Sequence, residues 1–174
     1  MLLDSTSREW NFQKEKHNLF VRNPVFLYGT VAEGDLIVSV DGLAYIRSAC
    51  VGRSLIFNVF DQKTFKPWKN VDANGNNRFA YGSGPANCQP SRNWNFEYSY
   101  LTPQSRKLMM DFMDSIPVGA FVVVRSMDFN DSNSFSSAWR SDTALYGSNN
   151  SLYHKLLAAG LLGIDSINAP KPWI

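Results

Sequence analysis

The stretch Leu108–Asp128, with the sequence LMMDFMDSIPVGAFVVVRSMD, decides the fold of this chain. Its first half places apolar residues at helical spacing. Thr102-Pro103 upstream suits a helix start, because threonine caps a helix and proline fits its first position. Pro117 and Gly119 end this helix, and the apolar run Ala120–Val124 predicts a buried strand. The stretch therefore predicts a helix, a turn and a strand in succession.

Strands dominate the sequence before this stretch. Leu36–Val40 and Leu43–Arg47 flank Asp41-Gly42, which predicts a hairpin because Asp-Gly supplies the positive φ angles of a two-residue turn. Val25–Tyr28 and Ser54–Phe60 predict further strands. Downstream, the segments 94–100, 135–146 and 151–159 predict an edge strand and two short helices. The sequence therefore predicts an α+β fold.

The length of 174 residues is most simply one domain. Within it, residues 1–50 are interpreted as an N-terminal β-hairpin extension and residues 51–174 as the core. The core contains a long loop at 69–95, which is rich in asparagine, glycine and proline. Loops of this length are uncommon in compact domains unless they are functional or mobile, so this loop is the first candidate for a binding surface.

The charge balance excludes several function classes. The 17 basic and 15 acidic residues give a net charge of +2, and no basic run has the density that nucleic-acid binding requires. No apolar stretch approaches the roughly 18 residues of a membrane span. Asp4, Arg8 and Glu9 interrupt any signal-peptide core. We expect either a cytoplasmic protein or a domain of a larger secreted one.

Six aromatic residues in or beside the long loop are candidate ligand-binding residues. Sugars stack on aromatic rings and hydrogen-bond to amides, so aromatic residues among asparagines suit carbohydrate. The alternative, which the residue pattern favours, is that these rings pin the loop to the core. The six are Phe79, Tyr81, Trp94, Phe96, Tyr98 and Tyr100.

Metal and disulfide sites are only suggested. Asp72, Asn74 and Asn76 resemble the start of a calcium loop, but the glycine and glutamate of such a loop are absent, so an ordinary turn-rich loop is favoured. Cys50 and Cys88 either form a disulfide or remain a buried thiol and a loop thiol. No cofactor motif occurs, and none is predicted.

Catalytic chemistry is not predicted. The two histidines, His17 and His154, lack metal-ligand spacing, and no nucleophile elbow is present. A cysteine hydrolase would need Cys88 beside one of these histidines. We take this as the least favoured hypothesis, because no helix start follows Cys88 closely to activate it.

Residues 52–165 resemble the interleukin-like EMT-inducer domain, also called the GG domain. Three blocks carry the resemblance: GRSLIFNVFD at 52–61 with Thr64 and Trp68, the helix with the IPVG turn at 116–119 and Asp128, and LYGS at 145–148. The loop 69–95 is an insertion relative to compact family members. The resemblance implies two small, mainly antiparallel β-sheets packed together with flanking helices.

The resemblance also implies a function. It implies a non-catalytic, extracellular binding or interaction module of a larger secreted or surface protein of Bacteroidota, with a glycan or a neighbouring protein domain as partner. The alternative is a structural docking or spacer domain for an adjacent catalytic region of the gingipain-like peptidase type. If the domain binds carbohydrate, we expect it to do so at the loop 69–95.

Overall fold

The computed structural model describes residues 2–3, 10–11, 16–22, 37–46, 53–71, 93–127 and 135–166. The strands in this part of the chain are β1 Leu2–Leu3, β2 Trp10–Asn11, β3 Leu19–Arg22, β4 Ile37–Val40, β5 Leu43–Ile46, β6 Ser54–Phe60, β7 Phe96–Ser99 and β8 Phe121–Met127. The helices are α1 Pro103–Ser115, α2 Phe135–Ser141, α3 Thr143–Tyr146 and α4 Leu152–Ala158, followed by a 3₁₀ turn at Ile164–Ser166. The predicted α+β class is confirmed.

One antiparallel sheet has the strand order β3-β4-β5. The predicted hairpin between β4 and β5 is confirmed: Asp41 and Gly42 at its turn have φ angles of 52° and 81°. The Asp41 carboxylate also accepts a 2.8 Å hydrogen bond from the backbone N–H of Asn18 and lies 2.7 Å from His17 Nδ1. These contacts hold the hairpin turn against the start of β3. A separate short ladder pairs β1 with β2.

The second antiparallel sheet has the order β7-β6-β8, with β6 in the centre. All seven residues of β6 are buried, the polar Ser54 and Asn58 included. Because side chains alternate along a strand, Leu55, Phe57 and Val59 project to one face, and Ile56 and Asn58 project to the other. The predicted edge strand near residue 98 is confirmed as β7.

The helices cover the first of these faces. Phe112 of α1 lies at the centre of the aromatic packing, with ring-centroid distances of 4.6 Å to Phe96, 5.5 Å to Tyr98 and 5.8 Å to Phe57. Trp139 of α2 is fully buried in the same cluster. Met109, Met110 and Phe112 of α1 therefore belong to the core, whereas Leu108 is exposed.

The opposite face of this sheet packs on the first sheet. Val38 and Val40 of β4 form a buried cluster with Phe60 and Val123, and Trp94 packs against its edge. Two small antiparallel sheets thus share an interior, with helices on the outer side of one of them. This packing leaves a polar group of side chains enclosed on the sheet face that carries Asn58.

Helix α1 begins and ends as its sequence predicts. The Thr102 hydroxyl accepts a 3.1 Å hydrogen bond from Ser105 N–H, and Pro103 occupies the first helical position. After the helix, Ala120 N–H donates to Pro117 C=O at 3.2 Å and closes a tight turn. Gly119 has a φ of 95°, which favours glycine because a Cβ is strained there.

The predicted helix over 135–146 is divided, which is a correction. Helix α2 ends at Ser141 and α3 begins at Thr143, with Asp142 between them. The carboxylate of Asp142 is buried and bonded to Arg106 of α1, so a tertiary contact holds this position. No helix in the described ranges has the length and hydropathy that a membrane span requires.

Several predicted features lie outside the described residues. These are the strand Val25–Tyr28, the loop aromatics Phe79 and Tyr81, the cysteines Cys50 and Cys88, and the candidate calcium ligands Asp72, Asn74 and Asn76. Gly52 and Asp128 of the resemblance lie outside them as well.

Candidate functional site

The structure corrects the prediction that Phe96, Tyr98 and Tyr100 form an exposed ligand-binding surface. Their relative exposures are 1%, 3% and 1%, and their rings contact other core aromatics. Trp94 is partly buried and packs against the cluster between the sheets. A sugar cannot stack on a ring that is already covered. The interpretation that these residues pin the loop to the core is therefore the one that the structure supports.

A buried hydrogen-bond network is centred on Asn58 of β6. The Asn58 side-chain amide donates to Trp94 C=O at 2.9 Å and to Asn95 Oδ1 at 3.0 Å. Its Oδ1 accepts a 2.9 Å hydrogen bond from Nη2 of Arg125 on β8. Asn95 in turn donates to Oε1 of Glu97 at 2.9 Å. Two asparagines thus connect a buried cation to a buried anion.

Arg125 and Glu97 lie on either side of Ile56 in the sheet register and are both fully buried. Burial lowers the pKa of Arg125 to about 10, and the negative charge of Glu97 opposes that shift. Arg125 therefore stays charged at neutral pH. Its Nε and Nη1 have no hydrogen-bond partner in the part of the chain that the structure describes. Asn58 therefore accepts a hydrogen bond from this guanidinium group, and Glu97 provides the opposite charge.

The same network closes the base of the long loop. Asn70, just before the loop, donates its backbone N–H to Asn93 C=O and its side-chain amide to Asn95 C=O, the latter at 2.9 Å. Asn58 holds Trp94 C=O on the other side. We call Asn70 together with Asn93–Asn95 the loop neck. The neck thus ties Asn70 to the segment that leads into β7.

A pocket of about 420 Å³ lies beside the loop neck. Phe96 and Phe112, both almost fully buried, form its floor. Trp68, Lys69 and Ser115 complete its lining, with Trp68 partly exposed and Lys69 and Ser115 exposed. Its volume falls within the roughly 300–1,000 Å³ that small-molecule sites typically have. A partly exposed tryptophan, a lysine and a serine thus line one concave surface.

A tight turn after β6 places Trp68 at this pocket. Oδ1 of Asp61 accepts hydrogen bonds from the backbone N–H of Lys63 at 2.9 Å and of Thr64 at 2.8 Å. The chain reverses, and Trp68 N–H donates to Val59 C=O at 2.8 Å. The turn therefore orients Trp68 along the end of the central strand. These hydrogen bonds also lower the pKa of Asp61, because they favour its charged form.

We expect Asp61→Ala to destabilise the fold at neutral pH and to have less effect in acid. Because folding lowers the pKa of Asp61, its contribution is present above the unfolded pKa of about 3.9 and is lost as pH falls through the folded value. Urea denaturation of both proteins at about pH 6 and about pH 2.5 measures this. Lys66→Ala, in the same turn, is the control, and an equal Asp61 effect at both pH values would contradict the assignment.

Sequence reasoning missed Trp68 and Lys69 as site residues. Trp68 entered only as part of the family resemblance, and nothing in the sequence separates it from the other four tryptophans. The signal that could have found it is the Asp61-x-x-Thr64 turn, which predicts a chain reversal next to a buried strand. Lys69 carries no sequence signal at all.

The catalytic and metal candidates gain no support from the described contacts. His154 Nδ1 lies 2.8 Å from the hydroxyl of Ser151, which is fully buried and starts helix α4. His17 Nδ1 is bonded to Asp41. Within the described ranges, no three histidine, cysteine or acidic side chains are grouped as a metal site requires. Cys88 lies outside those ranges, so the hydrolase hypothesis stays a prediction.

Comparisons of the chain with protein-family models, with curated proteins and with solved structures found no match in any of the three.

Proposed function

We propose that this domain is a non-catalytic carbohydrate-binding module, and that its binding surface is the pocket at Trp68 beside the loop neck. The observation that carries the proposal is the partly exposed Trp68 side chain at the rim of a pocket whose lining also includes Phe96 and Phe112. Sugar rings stack on such aromatic faces, and hydroxyl and amide groups at the rim fix their orientation. The sequence suggested a binding site on the segment Trp94–Tyr100. We propose that the site lies instead at Trp68, beside the loop neck.

The rigid base of the loop supports this proposal. Binding residues are often presented by loops on a rigid scaffold, because a fixed scaffold lowers the entropy lost on binding. The neck is held by hydrogen bonds to Asn70 and Asn58, and both side chains are buried. The neck residues therefore hold Lys69 and Trp68, which directly precede Asn70, at a fixed place in the fold.

The extracellular setting is part of the same proposal. It rests on the sequence resemblance to the interleukin-like EMT-inducer family, whose members act outside the cell as signalling or accessory domains. An accessory module beside a catalytic region needs a ligand site and no catalytic group. We propose that the pocket at Trp68 is that ligand site.

We expect Trp68→Ala to weaken binding of any recognised glycan about tenfold or more, because the stacking surface is removed. Trp68→Phe should retain part of the affinity, since a smaller ring still stacks. A glycan array followed by calorimetry on the recognised sugar measures both variants. Leu108→Ala, on an exposed part of α1 that does not line the pocket, is the control. Unchanged affinity in folded Trp68→Ala would refute the proposed site.

A docking domain for a neighbouring protein domain is the second candidate function. It is favoured by exposed apolar side chains at the turn between α1 and β8, where Val118, Phe121 and Val122 are 98%, 50% and 39% exposed. Exposed apolar groups that lie together often mark protein interfaces. The Trp68 variants separate the two candidates, because docking at Val118 does not need the pocket.

A further inference from the structure

The pocket at Trp68 has a lysine in its lining, Lys69. Lys69 is exposed at its rim, and no carboxylate of the described residues lies within ion-pair distance of its ammonium group. The acidic residues of α1 near the pocket floor are engaged elsewhere: Asp111 pairs with Lys107, and Asp114 pairs with Lys155 of α4. These pairings leave Lys69 as the charge that a ligand in this pocket meets.

We infer that the ligand of this pocket is an acidic sugar residue, one that carries a carboxylate or a sulfate. This inference rests on the proposed carbohydrate-binding function and adds the ligand class to it. Lys69 follows Trp68 directly in the sequence, and both line the same concave surface. A sugar ring on Trp68 would place a ring substituent towards the ammonium group, and an anionic substituent gains from that contact.

The remaining pocket chemistry fits a sugar acid better than other small anions. The pocket has a volume of about 420 Å³, so a compact ion such as phosphate alone would leave most of it unfilled. The apolar side chains of Phe96 and Phe112 in its lining offer such an ion no hydrogen bond. The Ser115 hydroxyl donates to Phe112 C=O at 2.6 Å, and its oxygen remains able to accept a hydrogen bond from a sugar hydroxyl. The ammonium group of Lys69 suits the anionic group of a sugar acid, and the Ser115 hydroxyl suits its ring hydroxyls. The ring of Trp68 suits the apolar face of the sugar ring.

The expected signature is charge-dependent binding. The acidic form of a sugar should bind about two- to fivefold more tightly than its neutral counterpart. This difference should shrink as salt is raised, because ions screen an exposed lysine over about 8 Å at physiological ionic strength. Stacking on Trp68 is much less sensitive to salt, so the neutral counterpart should keep its weaker affinity.

The test is a panel of matched sugar pairs, measured by calorimetry with the full chain. The pairs are oligogalacturonate and its methyl ester, a sialylated oligosaccharide and its desialylated form, and a sulfated oligosaccharide and its unsulfated form. Each is titrated into the unmodified protein, into Lys69→Gln and into Lys66→Gln. Lys66 is an exposed lysine of the neighbouring turn that does not line the pocket. Thermal unfolding checks that both variants fold.

Tighter binding of an acidic member, lost in Lys69→Gln and kept in Lys66→Gln, supports the inference. Equal binding of the acidic and neutral members, or unchanged affinity in Lys69→Gln, overturns it and leaves the carbohydrate-binding function in place. Binding of no sugar of either kind overturns both. Acid-specific binding that Trp68→Ala leaves unchanged would also overturn both, because the ligand would then bind elsewhere.

Discussion

Replacing Asp142 with alanine should lower the free energy of unfolding by about 3–5 kcal/mol. Arg106 of α1 donates two hydrogen bonds to this carboxylate, from Nε at 2.6 Å and from Nη2 at 2.8 Å, and a third from Nη1 to Tyr100 C=O. Asp142 and Arg106 are 3% and 5% exposed. Removing the carboxylate leaves a guanidinium charge enclosed without its counterion. Chemical denaturation of Asp142→Ala measures the loss.

Two further variants separate charge from shape. Asp142→Asn keeps the side-chain size and removes the charge, so it should recover only part of the stability. The double variant Arg106→Met/Asp142→Leu should be much more stable than Asp142→Ala, since apolar pairs often replace buried ion pairs at little cost. A loss under about 1 kcal/mol in Asp142→Ala would contradict the prediction, because the pair would then behave like a surface ion pair.

Asn58→Leu should cost about 2–4 kcal/mol and open the loop neck. The leucine removes the acceptor of Arg125 Nη2, which is buried, and the donor to Trp94 C=O, which is partly buried. Buried polar groups that lose their partners carry the full cost of leaving water. Hydrogen exchange at the amide of Asn70, which bonds Asn93 C=O across the neck, should accelerate beyond the global change in stability.

Val123→Ala is the matched control for Asn58→Leu. Val123 lies directly opposite Asn58 in the sheet register, is 7% exposed and belongs to the apolar cluster between the sheets. Its truncation should cost about 1–2 kcal/mol and leave the neck closed. If both variants accelerate exchange at Asn70 in proportion to their lost stability, Asn58 contributes only general stability. If Asn58→Leu accelerates this exchange beyond its loss of stability and Val123→Ala does not, the neck depends on the hydrogen bonds of Asn58.

Elements whose sequence signals lie within a few residues were predicted, and a feature that depends on a distant residue was not. Helix α1 was predicted with its cap and its end because Thr102, Pro103 and Pro117 act on neighbouring backbone groups. The hairpin turn at Asp41-Gly42 was predicted for the same reason. The break at Asp142 was not predicted, because Arg106, its partner, lies 36 residues away. No local pattern announces a contact of that separation.

The candidate site shows the same limit. Composition indicated six aromatic residues in or beside the long loop, Phe96, Tyr98 and Tyr100 among them, and favoured core packing over ligand contact for these rings. Alternation along β7 cannot say which face of a strand is covered by helices, so buried and exposed aromatics have the same sequence pattern. Only the position of α1 over the sheet shows that these rings are almost fully covered, whereas Trp68 is only partly buried.

The sequence by itself determined the α+β class, the hairpin, helix α1 with both of its ends, and the strands β6, β7 and β8. These follow from capping, turn chemistry and periodicity, which act within a few residues. The tertiary structure alone decided the Asn58 network, the Arg106–Asp142 pair and the pocket at Trp68. Each joins side chains that are far apart in sequence, and its energy comes from burial, which exists only once the sheets and helices have packed.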